Sequence, residues 1–160
     1  MPTQISVVLV RASTIPSRNK PIGNAGPPIQ KTILSKTGYF AKAIDLFRQA
    51  ERLSPRDPRG WLIATGLGSA YFYEGHFDQA LIYAEAALLQ NPRFTVALRL
   101  LAASLAKLGQ AGKAAAAVRE LLNVEPQLTL AALRARVRFL ESTSWGNAFL
   151  DALRLAGVPE

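Results

Sequence analysis

The amino-acid sequence predicts an all-α fold. From Gly38 onward, apolar residues recur at intervals of three and four positions, which is the pattern of helices with one apolar face. No convincing strand follows residue 12. Prolines and glycines also return at a fixed interval, which indicates a structural unit that is used more than once. These observations predict a helical repeat domain over residues 38–160.

The composition is that of one folded domain. The chain has 160 residues, of which 49% are apolar, and this is enough for a sizeable core. No apolar stretch reaches the roughly 20 residues that a membrane-spanning helix needs. The apolar run "ISVVLV" near the N-terminus has no basic residue before it and makes a poor signal peptide. Because cysteine is absent, disulfides and thiolate metal or redox sites are excluded, and a cytoplasmic location fits. No cofactor is expected, since the sequence has no nucleotide-binding glycine loop and no cluster of metal ligands.

Residues 1–37 are predicted to form a basic, poorly ordered tail. The net charge of the chain is +8, and the first 44 residues contain six basic residues and no acidic residue. Residues 12–31 contain four prolines and two glycines, which disfavour a helix and raise the entropy cost of ordering. A solvated tail is the favoured interpretation, and contact with an anionic surface is the alternative.

Helical stretches follow one another along the rest of the chain. The first, 40–53, has one apolar face and ends before Pro55 and Pro58. Glycines, prolines and an N-cap at Ser144 mark the bounds of the others. The remaining predicted helices are 61–74, 77–90, 95–108, about 111–124, about 128–141 and about 145–156.

These helices form an internal repeat. Pro58, Pro92 and Pro126 are spaced by 34 residues, and so are Gly75 and Gly109. A period of about 34 residues is that of the tetratricopeptide repeat, whose unit is a helix–turn–helix hairpin. The two glycines are expected to form the turn inside each hairpin, because a positive φ favours glycine there.

The residue pattern resembles the tetratricopeptide repeat family. The first unit matches the family pattern at Leu67, Gly68, Tyr71, Ala80 and Pro92. It departs at Ala64, where Trp is usual, and at Ala84, where Phe is usual. We expect two helices to cross closely at Gly68 and Ala80, since larger side chains would overpack the contact by about 1–3 kcal/mol. The resemblance implies tetratricopeptide-type antiparallel helix hairpins, stacked in a short right-handed solenoid with C-terminal capping helices.

The repeat register divides the chain into units. They are a half repeat at 38–58, full repeats at 59–92 and 93–126, and a cap at 127–160. The half repeat looks like the second helix of a hairpin, with Gly38 in the turn and no first helix before it. Repeats bury their apolar faces against neighbours, so the missing helix leaves a face of helix 40–53 uncovered. Three outcomes stay open: the tail covers this face, the protein dimerises there, or the chain is the trailing part of a longer protein.

The stretches "FLDALRLAGVPE" and "LSPRDPRGW" resemble a second, narrower group of sequences. Similar repeats follow the catalytic or DNA-binding domain of some bacterial class III adenylate cyclases and related signalling proteins. The resemblance covers about residues 38–160 and leaves out any cyclase domain. It implies a regulatory or partner-binding role in bacterial signalling.

No catalytic or metal site is expected. His76 is the only histidine, and the acids within its reach, Glu74 and Asp78, are too few for a metal site or a catalytic triad. We interpret His76 as an exposed turn residue. The stretch "GLGSAY" has no preceding strand and no third glycine, so close helix packing explains it better than nucleotide binding. The chain is therefore predicted not to be an enzyme.

The favoured function is a non-catalytic scaffold that binds a protein or peptide in the groove lined by the first helix of each hairpin. An exposed pair, Phe72 and Tyr73, next to Arg99 would suit a peptide anchor, because aromatics and arginine dominate binding hot spots. The alternative is that these aromatics pack on the following repeat. The predicted partner-binding residues are Leu62, Thr65, Ser69, Phe72, Tyr73, Arg99 and Lys107.

Two other functions are weighed against this scaffold. A nucleic-acid-binding accessory would use the basic tail and a modest basic surface made by Arg134, Arg138, Arg99 and Lys107, although a solvated face is the favoured interpretation of these residues. Self-association would form a homo-oligomer through the uncovered face of helix 40–53.

Overall fold

The structure, a computed structural model, describes residues 28–137 and 142–160, and of residues 28–38 it describes the backbone alone. Residues 1–27 of the predicted tail lie outside this part. The helices are α1 (Pro28–Leu53), α2 (Gly60–Glu74), α3 (Phe77–Gln90), α4 (Thr95–Lys107), α5 (Ala111–Val124), α6 (Leu130–Arg136) and α7 (Ser144–Ala156). The described residues contain no strand, and the predicted all-α fold is confirmed. None of their helices is long and apolar enough to cross a membrane.

Four of the helices form two antiparallel hairpins that stack on one another. α2 packs against α3, and α4 packs against α5. Each hairpin turns at a glycine with a left-handed backbone, Gly75 at φ 87° and Gly109 at φ 72°. α1 packs on α2 and α3 packs on α4, so the first helix of each hairpin covers the second helix of the unit before it. This arrangement is that of a helical-hairpin solenoid.

The start of the array differs from the prediction. The expected turn at Gly38 is wrong, because α1 continues through Gly38 from Pro28 to Leu53. Pro28 stands at the first position of the helix, where a missing N–H removes no hydrogen bond, and no later proline interrupts the helix. A glycine inside a helix costs only about 1 kcal/mol relative to alanine, which packing of the following turns can offset.

The bounds of the last two helices also shift from the prediction. The expected helix 128–141 is shorter, because α6 begins after its N-cap Thr129 and ends before Val137, whose backbone has φ −127°. Residues 138–141 lie outside the described part. Thr143, rather than Ser144, is the N-cap of α7. The hydroxyl of Thr143 accepts a hydrogen bond from the N–H of Gly146 at 3.1 Å, which satisfies one of the unpaired donors of the first turn.

α7 folds back along the hairpins. Within the stack, α4 packs against its hairpin partner α5 and against α3, the second helix of the previous hairpin, whereas α7 packs mainly against α4, a first helix. The buried side of α7 includes Phe149, Leu150 and Leu153. The chain end is held beside α6, because the N–H of Leu130 donates to the carbonyl oxygen of Pro159 at 2.7 Å. α7 therefore covers part of the inner side of the array.

Glycines set the distance between neighbouring helices. A Cβ on Gly68 would lie 2.7 Å from Cδ2 of Leu100 and 3.2 Å from the carbonyl oxygen of Ala80, so the close crossing expected there is confirmed. Gly66 is tighter still, since a Cβ there would lie 2.4 Å from the ring of Phe47. Close helix packing was expected for the stretch "GLGSAY" that begins at Gly66, but its partner on α1 was not predicted, because it lies outside the hairpin.

A small apolar cluster lies at the beginning of the first hairpin, apart from the main core. Trp61 and Phe94 pack edge to face, with ring centroids 4.5 Å apart. They lie against three buried alanines, Ala64, Ala87 and Ala97. The cluster joins the start of α2 to the start of α4.

We expect Gly66→Ala to lower the free energy of unfolding by about 1–3 kcal/mol, because the new methyl group would force the buried ring of Phe47 aside. Gly112→Ala is the matched control, since a Cβ at Gly112 meets open space. This control should raise stability by up to about 1 kcal/mol through helix propensity. Urea denaturation followed by circular dichroism measures both. Equal effects of the two changes would contradict the close contact at Gly66.

Candidate functional site

Phe72, predicted to face a binding groove, lies in the core. Its side chain is only 3% exposed, and its ring packs edge to face against Phe77 and Phe149, with centroids 5.1 Å and 5.3 Å away. The prediction of an exposed anchor is therefore wrong for Phe72. The physical reason is α7, which places Phe149 over the inner side of α2.

Tyr73 is covered by the same helix. Its ring lies 4.6 Å from Trp145 of α7 and 5.0 Å from Phe40 of α1, centroid to centroid. Trp145 also lies 5.5 Å from Phe40, so one residue of α7 joins α1 to α2. Desolvation by this burial raises the pKa of the Tyr73 hydroxyl. Tyr73 is thus a packing residue in this structure, as the alternative interpretation had it.

The other predicted groove residues differ in how far their side chains are exposed. Thr65 is buried, and its hydroxyl donates to the carbonyl oxygen of Trp61 at 2.7 Å, so it is used within α2. Leu62 and Ser69 are half-buried. Lys107 is exposed, and its Nζ lies 6.0 Å from the centre of the Phe77 ring. The structure therefore does not bring these residues together with Phe72 into one open surface.

Arg99 takes part in an internal ion-pair cluster. Its guanidinium donates to Glu125, at the C-terminal end of α5, and the Arg99 side chain is only 12% exposed. Arg136 of α6 donates to the other carboxylate oxygen of Glu125. Partial desolvation raises the pKa of Glu125, but the hydrogen bonds from Arg136 and Arg99 outweigh it and hold that pKa below its ordinary value. The cluster joins α4, α5 and α6.

The basic surface that was considered for nucleic-acid binding therefore has its positive charge offset by a carboxylate at two of its four positions. Arg99 is bound to Glu125, and Arg134 lies 3.7 Å from the carboxylate of Glu160. Arg138 lies outside the described residues. His76 is exposed at the N-cap of α3, and the described part of the chain contains no group of acids and histidine that could hold a metal ion.

The largest apolar side chains left exposed on α1 form one stripe. Tyr39 is 52% exposed, Leu46 is 49% exposed and Leu53 is 75% exposed. These residues are seven apart and therefore lie on one side of the helix, two turns from one another. The half-buried Ala43 and Ala50 run between them. We call these five residues the open face of α1.

The internal repeat explains why the open face is bare. Ala43 and Ala80 occupy the same place in their repeats, which pairs Leu46 of α1 with Tyr83 of α3. Tyr83 is covered by the first helix of its own hairpin, because its ring stacks on Tyr71 of α2 at 5.5 Å. Among the described residues, no helix lies in the corresponding place over Leu46. The open face is thus the surface on which the first helix of a hairpin would pack.

Stacked helix hairpins that repeat at a fixed period, with one helix face left uncovered at the start of the array, define a helical-repeat protein. Residues 64–94 match the family model described as Tetratricopeptide repeat. The first TPR domain of the human RPAP3 protein, solved by NMR, has a similar fold, with a TM-score of 0.53 and 20% identity over 80% of this chain and 87% of that chain. No curated protein matches the chain. Tetratricopeptide repeats generally mediate contacts between proteins and are typically non-catalytic.

Removing the Phe149 ring should loosen α7. We expect Phe149→Ala to lower the free energy of unfolding by about 3–5 kcal/mol, because it empties a site filled against Phe72 and Tyr73. Leu155→Ala on the same helix is the control, since Leu155 is 69% exposed and should change stability by less than about 0.5 kcal/mol. Urea denaturation compares them. A Phe149→Ala protein as stable as the control would contradict the covering role of α7.

The ion pairs of Glu125 should make stability depend on pH. A folded-state pKa below the ordinary value of 4.5 contributes stability above that pH, and the contribution is lost as pH falls through the folded pKa. Glu125→Gln should therefore cost about 1–3 kcal/mol at pH 7 and progressively less below about pH 4.5. Glu120→Gln, an exposed change on the same helix, is the control. A cost of Glu125→Gln that is the same at pH 7 and pH 3 would refute this account.

Proposed function

We propose that this chain is a protein-binding scaffold that holds a helical segment of a partner on the open face of α1. The observation that supports it is the exposure of Leu46, at a position where the equivalent Tyr83 is covered by a helix. A helix bound at the open face would complete the half repeat in the way that α2 completes the next one. In this binding mode, the partner helix would pack on α1 as the helices of the array pack on one another.

The size of the open face sets the strength of such a contact. Full burial of a large apolar side chain contributes about 1.5–3 kcal/mol. Association costs at least about 4 kcal/mol in lost freedom, and stable interfaces bury about 800 Å² on each partner. Burying the exposed parts of Tyr39, Leu46 and Leu53 contributes only about as much as this cost, so contacts elsewhere on the partner decide the affinity. A weak, reversible complex is what this surface favours.

The biological setting is proposed from the sequence resemblance. A regulatory role in bacterial signalling, a cytoplasmic location and the absence of catalysis are parts of this proposal. The division into units 38–58, 59–92, 93–126 and 127–160 is also part of this proposal. Lys107, Leu62 and Ser69 remain candidates for further partner contacts, because each keeps some exposure. Phe72 and Thr65, both buried, are no longer candidates.

Affinity capture from the source cells tests the proposed surface with two matched variants. Leu46→Ser removes the central apolar side chain of the open face, whereas Ile82→Ser changes a comparably exposed residue on α3, where Ile82 is 55% exposed. Partners should be lost with Leu46→Ser and retained with Ile82→Ser. Circular dichroism must show that both variants fold. Retention of the same partners by both variants would contradict the proposal.

A further inference from the structure

We infer that the open face is built for an acidic amphipathic helix of a partner protein. This inference rests on the proposed function and adds the charge and direction of the bound helix. The apolar stripe alone does not indicate which kind of helix binds there. The charged residues beside it do.

The charge at the border of the stripe is positive. Lys42 lies four residues before Leu46, so it projects only about 40° away from it around the helix axis. Asp45 projects about 100° away from Leu46, and Glu51 about 140° away, so both acids point to other sides. Gln49, the other residue bordering the stripe, is neutral. A helix lying on the open face therefore meets a lysine and no carboxylate at its edge.

The repeat also gives the direction of the bound helix. α2 starts beside the end of α3, because a Cβ on Gly60 would lie 2.9 Å from the side-chain oxygen of Gln90. By the same geometry, a helix over α1 would start beside Leu53. Arg56, in the turn that follows α1, is exposed there, and the neighbouring Asp57 pairs with Arg59 instead. Acids in the first turn of the bound helix would lie near this arginine and would also complement the dipole of that helix.

The same charges disfavour a second copy of α1 as the occupant. α1 carries Lys31, Lys36 and Lys42 before its first acid. In an antiparallel pair centred on Leu46, the part of α1 that carries Lys31 and Lys36 would lie beside Arg56 of the partner copy. Like charges placed side by side weaken such a pair, whereas an acidic helix gains an attraction at both ends.

Two synthetic peptides of about three heptads provide the probe. Both have the same stripe of leucine and alanine, and they differ in having glutamate or lysine at the flanking positions and in the first turn. Fluorescence anisotropy with the full chain at low salt should show the acidic peptide binding at least about tenfold more tightly than the basic one. Leu46→Ser should weaken the acidic peptide by about tenfold, and Ile82→Ser should leave it unchanged.

Lys42→Glu is the second variant, because it reverses the border charge without touching the stripe. It should weaken binding of the acidic peptide and strengthen binding of the basic one. Equal affinity of the two peptides, no response to Lys42→Glu, or no binding by either peptide would each overturn the acidic-helix inference. The capture comparison of Leu46→Ser with Ile82→Ser would still decide the proposed function separately.

Sedimentation of the chain without peptide completes the test. The chain should stay monomeric at the concentrations used for peptide binding. A dimer that Leu46→Ser converts to a monomer would show that a second copy covers the open face, and this would also overturn the inference.

Discussion

The structure depends on the packing of α7 against the inner side of the array. Helices in a repeat protein contact only their near neighbours, so each end and each unpaired side needs a separate cover. Trp145 and Phe149 provide that cover for the middle of α1 and the end of α2, through edge-to-face contacts with Phe40, Tyr73 and Phe72. Such ring contacts add to the area that they bury. The same packing buries Phe72 and covers part of Tyr73, and it leaves the open face of α1 as an uncovered apolar surface.

The hairpins could be predicted from sequence because their signals are local. The bounds of α2, α3 and α5 follow from glycine and proline positions that the 34-residue period repeats, and a one-residue shift is the usual uncertainty at a helix end. Gly38 failed as a turn signal because the same residue type serves inside a helix when nothing nearby forces a positive φ. Close packing was expected around Gly66, but its partner Phe47 could not be predicted, because it lies on α1 in the preceding unit.

The candidate surfaces also differ in whether their signals are local in the sequence or come from distant residues. Helical phase placed Phe72 and Tyr73 on the inner side of α2, but their cover comes from Trp145 and Phe149, more than seventy residues later. The ion pair of Arg99 with Glu125 spans 26 residues and has no sequence signature. One signal was available: α7 has a strong apolar side that needs a surface to pack on. The open face, by contrast, followed directly from a first helix missing from the repeat.

The two tryptophans of this chain sit in separate clusters joined by one helix. Trp61 belongs to the small cluster with Phe94 at the start of α2, and Trp145 belongs to the aromatic group at its end. About twelve helical residues, or roughly 18 Å, separate these two regions. The intrinsic fluorescence of the protein therefore contains two independent signals, one from each end of the first hairpin. Replacing either indole by phenylalanine isolates the other, so that optical spectroscopy can follow whether the two ends melt together or one after the other.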